Sequence, residues 1–106
     1  MPLTVTIDVD GRLPAAVEST AYFVVAEALT NAMRHARPNR IAVTGAVQRS
    51  WLTVEVRDDG VGGADPADGS GLTGLADRVD RRGGRLTLTS PLGGPTVLRL
   101  ELPCSV

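Results

Sequence analysis

A polar stripe within an otherwise apolar helical stretch constrains this chain more than any other feature. The segment 27–35 reads EALTNAMRH and directly follows six almost wholly apolar residues. Side chains three and four positions apart share one helix face, and this spacing groups Glu27, Asn31, Arg34 and His35. A carboxylate, an amide and a guanidinium on a largely covered helix need partners, because burying them unpaired is costly. A metal–phosphate ligand would supply those partners, so the stripe predicts a nucleotide site.

Composition limits the class of protein. The 106 residues suffice for one domain with a modest core, and we predict a single domain over 1–106. Eleven Lys and Arg against 12 Asp and Glu give a net charge of −1, which argues against a nucleic-acid partner and direct membrane contact. The single Cys104 excludes an internal disulfide and fits a reducing compartment. No apolar run approaches the roughly 18 residues that cross a bilayer, so we predict a cytoplasmic domain.

The first half of the chain predicts a strand followed by a long helix. Residues 3–9 alternate apolar and polar side chains, which is typical of a half-buried strand. A helical pattern then runs from about Ala15 to Ala36, and Pro38 stops it because the residue before a proline disfavours the helical region. Two further strands are predicted around 41–47 and 52–56.

The second half predicts a glycine-rich loop, a short helix and two strands. The loop covers 58–74, and the helix covers 75–82 and is closed by Gly83–Gly84. Strands follow around 86–88 and 97–102. This order predicts a two-layer α/β sandwich, in which a mixed, mostly antiparallel sheet of about five strands packs on two to three helices.

Asp58 ends the third predicted strand on its apolar face. With a period of two, it points the same way as Leu52, Val54 and Val56. The glycine-rich residues that follow make it a candidate buried acceptor at the mouth of a pocket. The alternative is an ordinary Asp-Gly turn, which Asp59–Gly60 alone would favour.

Two weaker signals follow along the chain. Gly69–Gly74 precedes a helix, and glycines together with the first amides of a helix can approach and bind phosphates. Its spacing matches neither a Walker loop nor a dinucleotide fingerprint, so a flexible linker is an equal alternative. Thr96 leads a row of leucines on the last strand, where its hydroxyl would bond a ligand or a water beside Asp58, or would be an ordinary strand threonine.

Taken in order, these segments resemble the ATP-binding catalytic domain of sensor histidine kinases. That superfamily includes gyrase, the MutL mismatch-repair proteins and the ninety-kilodalton heat-shock chaperones. Segment 27–35 resembles the N box, 58–62 the first glycine box, and 69–78 the second glycine box with its trailing Arg78. The glutamate that begins the N box, and the short ATP lid between Gly63 and Gly69, resemble most the branch of nitrate sensors and membrane-fluidity thermosensors. The resemblance implies the Bergerat-type ATP-binding fold.

The resemblance also implies roles for individual residues. Asn31 would coordinate the Mg²⁺ that bridges the ATP phosphates, and Glu27 would orient or deprotonate a metal-bound water or the attacking group. Asp58 would accept a hydrogen bond from the adenine amine, and Thr96 would reach the base through water. The remaining nucleotide contacts would come from Arg34, His35, Gly60, Gly62, Gly69, Gly71, Leu72, Gly74 and Leu75.

A histidine kinase also needs a helical hairpin that carries the phospho-accepting histidine, and we expect no such hairpin in this chain. The resemblance therefore implies a separate dimerisation and phosphoacceptor domain as partner and a response regulator downstream. It leaves open whether the parent protein is anchored in a membrane. The main rival is a stand-alone anti-sigma-factor serine kinase, whose N box also reads Glu-Ala-x-Thr-Asn-Ala. A third hypothesis is a docking module that binds nucleotide without catalysis.

Overall fold

The computed structural model describes residues 3–9, 13–36, 40–60 and 72–104. Its elements in chain order are β1 (Leu3–Asp8), α1 (Ala15–Asn31), a π-helical turn (Ala32–Ala36), β2 (Ile41–Gln48), β3 (Trp51–Asp58), α2 (Leu72–Arg81), β4 (Arg85–Thr89) and β5 (Thr96–Pro103). The five strands form one sheet in the order β1-β2-β3-β5-β4. Only β1 and β2 pair in parallel, and the other three pairs are antiparallel. The predicted mixed, mostly antiparallel sheet on a helical layer is confirmed.

The core lies between α1 and the two central strands. Alternate residues of β3 and β5 point to the helical layer, and the register places Val54 opposite Leu100 and Leu52 opposite Leu102. These side chains are at most 6% exposed, and α1 adds Val24 at 1%. Apolar side chains at every second position of a strand share one face of the sheet, and apolar side chains three and four positions apart share one face of a helix. These two apolar faces pack against each other to form the core.

Strand β1 differs from the sequence prediction, which made it half-buried. Its apolar residues Leu3, Val5 and Ile7 are 52%, 57% and 54% exposed. The register pairs Val5 with the buried Val43, so the side chains do point to the helical face of the sheet. The helices, however, pack elsewhere: α1 on β3 and β5, and α2 on β4. The alternation therefore predicted the direction of these side chains but not whether a second layer covers them.

The long helix covers the predicted span but changes type near its end. It begins at Ala15, directly after Pro14, and continues as α-helix to Asn31. The last five residues form a π-helical turn, whose wider hydrogen-bonding ring is rare and occurs often at functional sites. In the part of the chain that the structure describes, no helix is long and apolar enough to cross a membrane.

Helix α2 begins three residues before its predicted start, so Gly74 is helical and not part of the loop. The prediction placed this glycine at the end of the loop, but an isolated glycine costs a helix only about 1 kcal/mol relative to alanine. The predicted stop is confirmed. The amides of Gly83 and Gly84 donate to the carbonyls of Asp80 and Val79, and Gly83 has a φ of 76°. This pattern is a Schellman motif, which favours glycine at the left-handed position.

We predict that alanine has opposite effects on stability at Gly74, within the helix, and at Gly84, in its C-terminal cap. A Cβ at Gly84 would collide with the carbonyl oxygen of Glu101 and lie 3.0 Å from a methyl of Val79, so Gly84→Ala should destabilise the fold by at least about 2 kcal/mol. A Cβ at Gly74 would meet nothing within 4 Å, so Gly74→Ala should raise helix stability by about 0.5–1 kcal/mol. Urea unfolding followed by circular dichroism measures both. A Gly84→Ala variant as stable as the parent would contradict the close approach of the cap to β5.

Candidate functional site

The sheet contributes one buried carboxylate to the candidate site. Asp58 is the last residue of β3 and is only 4% exposed. Strand alternation places it in line with Val56 and Val54, as the sequence predicted, so its side chain enters the apolar layer where the strand ends. Fully buried aspartates are rare unless they are paired, which makes this position a candidate for ligand binding.

The hydrogen bonds of Asp58 leave acceptor capacity for a ligand. One carboxylate oxygen, Oδ1, accepts the backbone N–H of Gly60 at 2.9 Å, which closes a short turn. An ionised carboxylate offers about four acceptor positions. Among the described residues, the Gly60 amide is the one group that donates a hydrogen bond to the Asp58 side chain. Burial raises the pKa of Asp58 above the ordinary range of an aspartate, the Gly60 hydrogen bond opposes this, and the charge of Asp59 adds to it.

The neighbouring Asp59 serves a different purpose, because it holds two strands together. Its Oδ1 accepts the backbone N–H of Arg40 at 2.9 Å, and its own N–H donates to the Arg40 carbonyl at 3.2 Å. These two bonds fix the start of β2 to the end of β3, immediately beside Asp58. The two adjacent aspartates therefore have different roles: Asp59 anchors the backbone, and Asp58 points into the interior.

Thr96 lies directly opposite Asp58 in the register of β3 and β5. Its hydroxyl lies 2.6 Å from the hydroxyl of Ser90, with either atom as donor. Sequence reasoning missed Ser90 as a site residue. Ser90 and Thr96 flank the turn between β4 and β5, and a hairpin brings such residues together. The predicted hairpin was therefore the signal that could have placed Ser90 beside Thr96.

The helices contribute a second group of residues. Glu27 and Asn31 lie one turn apart on α1, both partly buried, as the spacing predicted. An open pocket of about 320 Å³ separates α1 from α2, and its lining consists of Phe23, Glu27, Gly74, Leu75 and Arg78. The structure therefore brings the predicted residues Glu27, Gly74 and Leu75 together.

Two lining residues of this pocket, Phe23 and Arg78, were not predicted as site residues. Phe23 lies four residues before Glu27, so helical spacing was the signal that points to it. Arg78 follows the second glycine segment on α2, and its guanidinium carbon lies 5.3 Å from the centre of the Phe23 ring.

The other predicted residues are placed less fully. Arg34 lies in the π-helical turn with an exposed side chain, and the backbone of His35 belongs to the same turn. Leu72 begins α2. Gly62, Gly69 and Gly71, and the side chains of His35 and Leu72, lie outside the described residues.

The donor set fits a magnesium ion that is shared with phosphate. Among the described residues, no group of three or more His, Cys, Asp or Glu side chains is placed to hold a metal ion by itself. Mg²⁺ is commonly held by one or two protein oxygens together with substrate phosphates, and the amide oxygen of Asn31 suits that arrangement. The residues present therefore fit a metal ion that binds as a complex with a nucleotide.

Comparison with known proteins defines the family. Residues 16–106 match the model of the histidine kinase-, DNA gyrase B- and HSP90-like ATPases. The chain therefore belongs to this family of ATPases. Its sheet and helical layer also match the catalytic domains of solved histidine kinases, which bears out the predicted ATP-binding fold.

Individual relatives include a sensor histidine kinase and a nitrate/nitrite sensor protein. The chain is 36% identical over 90 residues to the sensor histidine kinase YxjM of Bacillus subtilis, covering 85% of this chain and 22% of that protein. It is 34% identical over 104 residues to the nitrate/nitrite sensor protein NarQ of Escherichia coli, covering 90% and 18%. Among solved structures, the blue-light activated histidine kinase of Erythrobacter litoralis superimposes with a TM-score of 0.77 at 25% identity, over 97% of this chain and 36% of that one. The chain thus spans about a fifth of the length of these curated relatives.

We predict that the Asp58 carboxyl titrates above the ordinary range of an aspartate in the free protein, because burial disfavours its charged form. A hydrogen bond donated to the carboxylate by the amine N–H of a bound base favours the charged form, so Mg·ATP should lower this pKa. By linkage, ATP affinity should weaken as the pH falls through the pKa of the free protein. The ¹³C chemical shift of the Asp58 carboxyl, followed against pH with and without Mg·ATP, measures both. A midpoint that does not move when nucleotide binds would contradict contact between Asp58 and the base.

Proposed function

We propose that this chain binds ATP with Mg²⁺ and donates the γ-phosphate to a histidine on a separate dimerisation domain. It would act as one ATP-binding domain, the catalytic part of a two-component sensor histidine kinase. The observation that carries the proposal is the 4% exposed carboxylate of Asp58 at the end of β3, to which the described residues donate one hydrogen bond and leave further acceptor positions.

The end of the sheet would hold the adenine. The carboxylate of Asp58 accepts from the exocyclic amine, and the Thr96 hydroxyl opposite reaches the ring through a water. Gly60, whose amide already bonds Asp58, leaves room for the flat base, and Gly62 would do the same. Adenine offers an amine where guanine offers a carbonyl, so a carboxylate acceptor in this place selects ATP over GTP.

Helix α1 would hold the phosphates. Asn31 would supply a protein oxygen to the Mg²⁺, and Arg34 would pair with phosphate oxygens beside His35. The lid that ends at α2 would complete the site with Gly69, Gly71, Leu72, Gly74 and Leu75. Mg²⁺, when bound, neutralises charge on the phosphates, while positioning is the main task of the protein in phosphoryl transfer.

Glu27 would act on the acceptor. A nitrogen of the incoming imidazole attacks the γ-phosphorus, the bond from phosphorus to the bridging oxygen breaks, and ADP leaves. The Glu27 carboxylate accepts a hydrogen bond from the other ring N–H, which orients the imidazole and stabilises its growing positive charge. Its position supports this role, because Glu27 lies one turn, or about 6 Å along the helix axis, from Asn31, which would hold the metal.

The acceptor and the signalling partners would lie outside this segment. The chain spans 22% of YxjM and 18% of NarQ, so the relatives have ample further chain for a phosphoacceptor domain. We propose a response regulator as the downstream partner, a cytoplasmic location and no nucleic-acid partner. The glutamate at position 27 favours the branch of nitrate sensors and thermosensors.

We predict acid-labile transfer in trans. The chain is incubated with γ-labelled Mg·ATP and with YxjM from which the 90 matching residues have been removed, so that YxjM serves only as acceptor. Label should appear on the YxjM remainder and not on this chain, and it should be lost in acid because phosphohistidine hydrolyses there.

Glu27→Gln should lower the transfer rate by about 10²-fold or more while ATP binding persists, since it removes a charged hydrogen-bond acceptor but keeps its shape. Acid-stable label on serine would support the anti-sigma-factor serine kinase instead. Absence of label with NarQ- and YxjM-derived acceptors alike would overturn the proposed transfer.

A further inference from the structure

Three adjacent strands carry polar side chains at the same edge of the sheet. Asp58 ends the buried row of β3, and Thr96 precedes the buried Leu98 on β5. Ser90 directly follows β4, where strand alternation places it on the same face as the partly buried Leu88. Because the strand order is β3-β5-β4, these three polar side chains lie side by side on the face that the helices cover.

The hydroxyls of Ser90 and Thr96 are in contact across the base of the turn between β4 and β5. Their oxygens lie 2.6 Å apart, and the pair is partly buried. Thr96 is also the register partner of Asp58, and directly opposed residues of an antiparallel pair have Cβ atoms about 4.5–5.5 Å apart. Ser90 can therefore influence a ligand of Asp58 through the Thr96 hydroxyl without touching that ligand.

Backbone contacts close the β4–β5 hairpin without the help of these hydroxyls. The paired strands end at Thr89 and Val97, directly before and after the two hydroxyl residues. Within the turn, the N–H of Gly94 donates to the carbonyl of Pro91 at 2.9 Å. The contact between the hydroxyls therefore fixes the orientation of two side chains rather than the course of the backbone.

The charge of Asp58 favours one direction for the proton that the two hydroxyls share. Either hydroxyl could donate in the 2.6 Å contact. An ionised carboxylate only accepts hydrogen bonds, so nearby O–H dipoles are most favourable when their protons point towards it. In that arrangement Ser90 donates to Thr96, and the proton of Thr96 stays on the side of Asp58, where it is available to a ligand.

We propose that Ser90 is a positioning residue that makes the Thr96 hydroxyl a hydrogen-bond donor towards the base and so contributes to the selection of adenine. This inference rests on the proposed function, in which Thr96 reaches the base through a water. Beside its amine, adenine carries the ring nitrogen N1, which is an acceptor, whereas the same nitrogen of guanine carries a hydrogen. Hydrogen bonds that run from Ser90 through Thr96 and the water end in a donor, which fits adenine and opposes guanine.

Calorimetry with the magnesium complexes of ATP and 1-deaza-ATP tests this role, because 1-deaza-ATP has a carbon in place of the ring nitrogen N1 and keeps the amine. The parent should bind ATP about tenfold more tightly than 1-deaza-ATP, the effect of one neutral hydrogen bond. Ser90→Ala should raise the Kd for ATP about fivefold and leave the Kd for 1-deaza-ATP unchanged. The preference for ATP should therefore fall to about twofold.

Further variants separate orientation of Thr96 from structural support. Ser90→Thr keeps a hydroxyl and should restore the preference of the parent. Thr96→Val removes the hydroxyl through which Ser90 acts, so adding Ser90→Ala to it should cause no further loss of ATP affinity. Thr89→Ala is the matched control, because Thr89 is an exposed threonine of the same hairpin on the opposite face of the sheet. Thermal melting confirms that each variant is folded.

The outcomes distinguish this inference from the proposed function. An equal loss of affinity for both nucleotides in Ser90→Ala would indicate a merely structural role and would overturn the inference, as would an unchanged Kd for both. Equal binding of ATP and 1-deaza-ATP by the parent would also overturn it, while ATP binding itself would stand. Absence of ATP binding by the parent would refute the proposed function.

Discussion

The burial of one carboxylate, Asp58, is the constraint on which the rest of the site depends. A charged group that is 4% exposed loses most of its hydration, and within the described residues the amide of Gly60 replaces only part of it. Asp59 holds the backbone of the adjoining strands beside it, and Ser90 positions the hydroxyl of Thr96 opposite. A ligand that donates a hydrogen bond to this carboxylate would therefore offset part of the free-energy cost of burying it.

The sequence was sufficient to predict the parts of this site that depend on local periodicity. The period of two in β3 placed Asp58 on the buried face, and the period of three and four in α1 placed Glu27 and Asn31 together. Gly83 was predicted correctly as the helix stop because only a residue that tolerates positive φ fits there. The order of the motifs then indicated the family, which the match over residues 16–106 bears out.

Features that depend on how the helical layer overlaps the sheet could not be predicted from the sequence. Alternation in β1 gave the direction of Val5 but not the reach of α1, so the strand is exposed where burial was predicted. The early start of α2 turned Gly74 from a loop residue into a helical one, because packing of the helix outweighs a small intrinsic cost. The contact of Arg78 with Phe23 joins residues 55 positions apart, which no local pattern encodes.

The most direct test of the central claim is base selectivity, measured by calorimetry with Mg·ATP and Mg·GTP. The parent chain should bind ATP at least about tenfold more tightly, the effect of one hydrogen bond to a charged group. Asp58→Asn should lose most of this affinity and the selectivity with it, because an amide donor then faces the adenine amine, while Asp77→Asn, an exposed change on α2, should preserve both. Equal binding of ATP and GTP by the parent, or full selectivity in Asp58→Asn, would contradict the account.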